Sequence, residues 1–333
     1  VAVSATTIAP VTKVRKNAAA DTAAPTYSVP SSCTPISWTN TFAFTSNTAC
    51  PTPYEVGTFC GFINPEDPCS PQPYGYGPST NPDSVQAFKD NLIYHALALS
   101  APTPSGYTNT FRDLNASVIA NSYLAYKSLT SYNVTECASY CNSTQLCTGF
   151  NLYIERDPQW NPDRCTCQNP ASMANYKCSL WGSDVGKDSA TNYGEARNDF
   201  TVIIVGSNGY QLTSSIPPTP KKARNIQDCH KRLFNRPKYS LGQHSFPGPF
   251  DPSLCAAYAL QQNTVNKKAG VWGRMGSAKC VQFQAAELLE DGAGWGTHCR
   301  LFTRRFPSNN ANLRLGGGNN GFTCGKSYTW DIE

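Results

Sequence analysis

Two stretches of the chain repeat one cysteine pattern, and that repeat constrains the fold more than any other feature. The first runs Asn133, Cys137, Tyr140, Cys141, Cys147, Phe150, Cys178, Leu180; the second runs Asp251, Cys255, Tyr258, Ala259, Cys280, Phe283, Cys299, Leu301. In each, a helix-capping residue stands four positions before a cysteine. A later cysteine is followed by x-x-Phe, and a third by x-Leu and an aromatic residue, Trp181 or Phe302. Internal similarity of this kind means two copies of one structural unit stapled by disulfides.

The rest of the composition agrees. Fifteen cysteines stand beside two methionines and 15% charged residues. Zinc would call for CxxC pairs or Cys and His at ligand spacing. The close pairs here are Cys165–Cys167 and Cys137–Cys141, and His95, His230, His244 and His298 are scattered. Disulfides in an oxidising compartment are therefore expected, with no metal and no cofactor. Asn-x-Ser/Thr sequons at Asn115, Asn133 and Asn142 fit a secreted, extracellular glycoprotein. The chain opens at Val1 and reads as a mature form after signal removal. The apolar runs at 202–205 and 92–99 are too short to span a bilayer, so no membrane partner is expected.

Charge is uneven. Residues 216–333 hold sixteen Lys/Arg against seven Asp/Glu, +9, and the preceding part is −4. The basic residues are densest from Lys221 to Lys238. In an extracellular setting such a stripe reads as a solvated basic face, or one suited to an acidic polysaccharide, an acidic protein face or the protein's own acidic half, and not to nucleic acid.

Composition divides the chain into four parts. Residues 1–32 form an Ala/Thr/Val/Pro tail that cannot bury enough surface to order itself. Residues 33–105 form a loop-rich Cys/Pro region with Cys33, Cys50, Cys60 and Cys69 and one helix over 85–99. Residues 106–213 and 221–333 are the two repeated units, joined by the linker at 214–220. In the first unit, strands are expected near 107–111, 123–126, 147–154, 177–181 and 200–205. Asn133 caps a helix with Glu136 closing a capping box, which places Cys137 and Cys141 on one helix face. The second unit repeats this order, with Asp251-Pro252 as cap and first helical residue and strands near 280–283, 299–303 and 328–332.

A helix bearing Cys-x3-Cys, then Cys-x2-Phe on one strand and Cys-x-Leu on the next, resembles the PAN/Apple domain family. The wider wording of residues 82–210, including Gly106–Phe111 and Phe150–Pro158, is similar to secreted proteins of filamentous fungi, a likeness that carries no activity with it. The resemblance implies an α+β fold of two units, each a helix on a twisted antiparallel sheet. It implies disulfides Cys137–Cys178 and Cys141–Cys147 in the first unit, and Cys229–Cys324 and Cys255–Cys299 in the second. Ala259 replaces the second helix cysteine, so Cys280 loses its partner and is expected as a free, buried thiol. Cys165 and Cys167 join the four N-terminal cysteines as six that can form three bridges.

No nucleophile elbow, zinc-protease motif or phosphate-binding loop is present, and Gly316–Gly321 reads as a loop. Glu155-Arg156-Asp157 offers paired carboxylates, read here as a strand-end salt bridge around Arg156. Glu287, Glu290 and Asp291 read as a solvated face. The expectation is a non-enzymatic structural or adhesive glycoprotein of a cell wall or matrix. It would self-assemble with other copies, its tail adding as a strand to a sheet edge. A carbohydrate-binding module and a secreted hydrolase are the alternatives.

Overall fold

A computed structural model describes Cys69, Gln72 and residues 75–333, except 166, 269–278 and 317–320. The tail at 1–32, with Cys33, Cys50 and Cys60, lies outside the described residues. The fold is α+β, built mainly from antiparallel sheets with few helices.

The first unit has α3 (Val134–Ser143) packed on a sheet of β1 (Tyr107–Leu114), β3 (Tyr123–Leu129), β4 (Gly149–Pro158), β5 (Ser172–Trp181) and β8 (Phe200–Leu212). A short β7 (Gly194–Arg197) also pairs with β8. The second unit has α4 (Pro252–Lys268) on β9 (Ala223–Asp228), β10 (Ser240–Pro247), β11 (Gln282–Glu290), β12 (Ala293–Phe302) and β13 (Phe322–Ile332). The strand orders are β3-β5-β4-β8-β1 and β10-β12-β11-β13-β9. Element by element these are one arrangement, and the repeat extends to single residues. Phe150 lies opposite Leu180 and Tyr210, while Phe283 lies opposite Leu301 and Trp330. The corresponding rings stack at 4.8 and 5.3 Å.

The disulfides occupy matching places. Cys137 on α3 bonds Cys178 on β5, and Cys255 on α4 bonds Cys299 on β12. Cys141–Cys147 closes the first helix onto the entry to β4. At the equivalent sites Ala259 and Cys280 are fully buried, and Cys280 is a free thiol. Each helix–sheet core is small, and burying an aromatic or Leu side chain contributes about 1.5–3 kcal/mol. A bridge worth about 2–4 kcal/mol is therefore a large share of either unit's stability.

Several expectations change. Cys229 and Cys324 are separate buried thiols instead of a bridge. The Cys229 amide donates to the Ser327 carbonyl (2.9 Å), a register that sets it three residues along the strand from Cys324. The two side chains enter different apolar clusters, one with Phe234 and Phe302, the other with Leu233 and Ala286. The expected helix over 85–99 is two, α1 (Val85–Lys89) and α2 (Leu92–Ser100). Asp90 ends the first, and the Asn91 side chain accepts from the Ile93 amide to start the second (3.0 Å). Asn133 caps α3 by accepting from the Glu136 amide (3.1 Å), but Glu136 turns to Lys127 (2.9 Å) and leaves the capping box half made.

The loop-rich region is anchored to the first unit. Cys69 bonds Cys167, and Cys165 is also disulfide-bonded. The Asp83 carboxylate accepts from the Ser172 amide (2.7 Å). A two-stranded antiparallel sheet of β2 (Ser117–Val118) and β6 (Ala190–Asn192) covers the face of the first sheet opposite α3. There Val118 donates its amide to the buried Asn151 side chain (2.9 Å).

The two units touch closely. Phe250 donates to the Gly182 carbonyl and Asn121 to that of Gly294, each at 2.9 Å. A Cβ on Gly294 would collide with the hydroxyls of Ser183 and Ser122, so only glycine permits this approach.

Candidate functional site

Because side chains alternate across a strand, β4 sends Leu152 and Ile154 toward α3 and Tyr153, Glu155 and Asp157 to the other face. β5 adds Asn175 and Lys177 to that face. Glu155 and Asp157 are 8% and 6% exposed. Lys177 binds both carboxylates, Asp157 at 3.0 Å, and Asn175 donates to Asp157 at 2.6 Å. The cation is thus Lys177 and not Arg156. Arg156 points to the opposite face, where it binds Asp83 (2.8 Å) and lies 4.3 Å over the Phe200 ring.

This environment separates the two acids. Burial, then the Asp157 charge, pushes Glu155 up to about 7 despite Lys177. Burial also works to raise Asp157, but Lys177 and the Asn175 amide outweigh it and hold that carboxyl below its ordinary range. Divergent acids in one place are a pattern of general acid–base sites. Here, however, both carboxyls are buried and close on the one Lys177 ammonium. Glycosidase pairs stand about 5 Å or more apart, with the bond to be cut between them. The triad is built as an internal ion cluster.

The same face of the second sheet holds a polar chain that sequence reading missed. The β10–β12 register sets Ser245 opposite His298. Ser245 Oγ is 2.8 Å from His298 Nδ1, and Arg300 Nε donates to His298 Nε2 (3.3 Å). With Nε2 accepting, Nδ1 carries the hydrogen and directs it at Ser245, the wrong tautomer for a base that would activate the hydroxyl. Burial, with the Arg300 and His244 charges, pushes His298 down to about 4 and keeps it neutral. No local signal marks these residues, since only strand pairing brings 245 and 298 together.

Glu287 is not on a solvated face. It is 1% exposed where the units meet, accepting from the Asp184 amide (3.1 Å) with Lys326 3.8 Å from its other oxygen. Lys326 also reaches Asp184 (3.4 Å). Burial pushes Glu287 up to about 7, Lys326 only partly offsetting it. Asp291 is exposed in the β11–β12 turn, and Glu290 is half-buried beside it.

Asn115, Asn133 and Asn142 are all exposed. The oxygens of Asn133 and Asn142 are engaged, the latter with the Tyr107 hydroxyl (2.7 Å), while among the described residues neither side-chain nitrogen donates a bond. His95 is an internal ion-pair residue, 2.8 Å from Asp113 and 2.7 Å from the Lys89 carbonyl. Among the described residues no group of three or more His, Cys, Asp or Glu is placed to hold a metal, and no helix is long and apolar enough to cross a membrane. No protein-family model, curated protein or solved structure matches the chain.

Proposed function

We propose that the protein is a non-enzymatic structural or adhesive glycoprotein of a cell wall or extracellular matrix, built from two PAN/Apple-like units and assembling with other copies of itself. The observation that carries this is the duplicated, disulfide-pinned unit with open sheet edges. Among the described residues nothing pairs with the outer sides of β3, β9 or β10. Such edges accept an added strand, and the β-branched tail at 1–32 has the composition to supply one. A tail entering the next molecule makes a heterologous contact, hence a ring or a filament. The commitment of Glu155 and Asp157 to Lys177 favours this reading over a hydrolase. Secretion accounts for the disulfides and the exposed sequons.

Light scattering and electron microscopy of the full chain and of a variant lacking residues 1–32 test the proposal. The full chain is expected to form particles larger than a monomer and the truncated chain to lose them. Equal size in both overturns the tail-exchange mechanism. Intact mass before and after deglycosylation tests the glycans on Asn115, Asn133 and Asn142, and a secreted chain without any glycan contradicts that part.

A further inference from the structure

The second unit carries cations that have no acidic counterpart. Some of its charge is engaged: Arg305 binds Asp331 (3.2 Å), Lys326 binds Asp184 and Glu287, and His230 faces Asp228 (3.4 Å). Arg236, Lys238, Arg300 and Arg304 make no ion pair among the described residues. All four converge on one aromatic block. Phe306 packs 5.7 Å from Phe234, 5.9 Å from Phe302 and 5.5 Å from Tyr239. The Arg236 guanidinium lies 5.6 Å from the Phe306 ring centre. Arg304 and the Lys238 ammonium lie 5.8 and 6.0 Å from that of Tyr239. Arg300 joins from the sheet, donating to the Phe234 carbonyl at 2.6 Å.

Ring faces hold a cation without neutralising it. A guanidinium stacked on an aromatic ring keeps its N–H edge directed outward. Arg236 is half-buried, its Nε enclosed without a hydrogen-bond partner among the described residues, and Lys238 and Arg304 are exposed. The block is also stiff, because the Thr303 amide donates to the Tyr239 carbonyl (2.9 Å) and ties the two cation-bearing segments together.

We propose that this surface binds an acidic glycan, a sugar polymer carrying carboxylate or sulfate groups at repeated intervals. The acids of another copy are poor candidates, since most of those in the first unit are already engaged. In that unit Asp113 holds His95, Glu136 Lys127, Glu155 and Asp157 Lys177, Asp184 Lys326, and Glu195 Arg197, and in the preceding region Asp83 holds Arg156. A partner that brings its own unpaired anions fits four unneutralised cations, and a disulfide-rich chain meets such polymers outside the cell more readily than nucleic acid. This inference goes beyond the assembly reading and does not depend on it.

The test passes the full chain, at low salt, over immobilised polygalacturonate, heparin and a neutral β-glucan, with a single-stranded oligonucleotide as a further arm. Particle size is measured separately. Retention is expected on one or both acidic glycans, reversed by salt, and not on the neutral one; carboxylate and sulfate preference follow from which column holds the chain. The Arg236→Gln/Lys238→Gln/Arg304→Gln variant is expected to bind about tenfold more weakly or less. Lys238→Gln/Arg304→Gln changes only exposed groups and serves if the triple variant does not fold. A charge-matched control, Lys89→Gln/Lys187→Gln/Lys268→Gln, is expected to bind as the parent does. No retention on either acidic glycan, equal loss in the control, or tighter binding to the oligonucleotide than to both glycans overturns the proposal. So does loss of self-association with glycan binding intact, which would make the patch an interface between copies.

Discussion

The first unit has a disulfide that the second lacks, and restoring it tests whether the two are equivalent. Cys141–Cys147 joins helix to strand in the first unit. In the second, Ala259 and Cys280 fill the same positions, fully buried in one cluster with Phe283 and Trp330. Ala259→Cys should therefore place a second thiol against Cys280. Closing a loop of roughly twenty residues removes enough unfolded-chain entropy to stabilise by about 3 kcal/mol. Fitting a sulfur into a packed site costs about 1 kcal/mol or more, so about 2 kcal/mol remains. Unfolding entropy is about 2 cal/mol/K per residue, so Tm should rise by about 3 °C if the whole chain melts together. If the second unit melts alone, the rise should be about 8 °C. Calorimetry with and without reductant, beside thiol titration in denaturant, reads both quantities. The oxidised variant should lose the free Cys280 thiol and gain Tm, and reductant should abolish the gain. A variant that stays reduced in oxidising buffer, or oxidises and melts lower, refutes the equivalence.

Three further outcomes are expected. Lys177→Met leaves Glu155 and Asp157 buried without their cation and should cost about 3–5 kcal/mol, read from urea unfolding at pH 7; a loss below about 1 kcal/mol would show that water reaches the pair. Glu287 has a folded pKa of about 7 against an ordinary value of 4.5, so the native state binds the extra proton. Its contribution is full below pH 4.5 and falls as pH rises through 7, reaching about 3 kcal/mol of destabilisation at pH 8. Glu287→Gln should flatten that slope and be the more stable protein at pH 8, and an unchanged slope would contradict the assignment. For His95, burial lowers the pKa but the bonds to Asp113 and the Lys89 carbonyl outweigh it and raise it. That stabilisation is complete below the ordinary histidine pKa of about 6.5 and is lost as pH rises through the elevated folded value. Parent and His95→Gln should accordingly differ in unfolding midpoint at pH 5.5 and converge near pH 8.5; a constant difference would refute an ionic role.

Readings that rest on neighbours in sequence agree best with the structure. Asn133 and Asp251 stand at helix starts, and the Cys-x-x-Phe and Cys-x-Leu stretches lie at or in β4, β5, β11 and β12. Capping and alternation are local, so a short window contains the whole signal. Errors arose where one residue's role depends on a distant segment. Arg156 sits between two acids in sequence, yet the pleat turns it to the other face and Lys177, on the next strand, takes both carboxylates. Glu287 lies in a polar-looking run, but the first unit closes over it. β9 and β10, rich in Gln, Asn, Ser and Arg, carry no strong alternation and are strands because β13 and β12 pair with them.

The amino-acid sequence by itself determined that this chain is two copies of one cysteine-stapled unit, which helix and strand carry the staples, and that Cys280 lacks a helix partner at Ala259. Those facts lie in spacing along the chain, which is fixed before the chain folds. Tertiary structure alone decided the common strand order, the separation of Cys229 from Cys324, the Ser245–His298–Arg300 chain, the Asp184–Glu287–Lys326 contact and the aromatic block under the free cations. Each depends on register between segments tens of residues apart, where a shift of one residue turns every side chain to the opposite face.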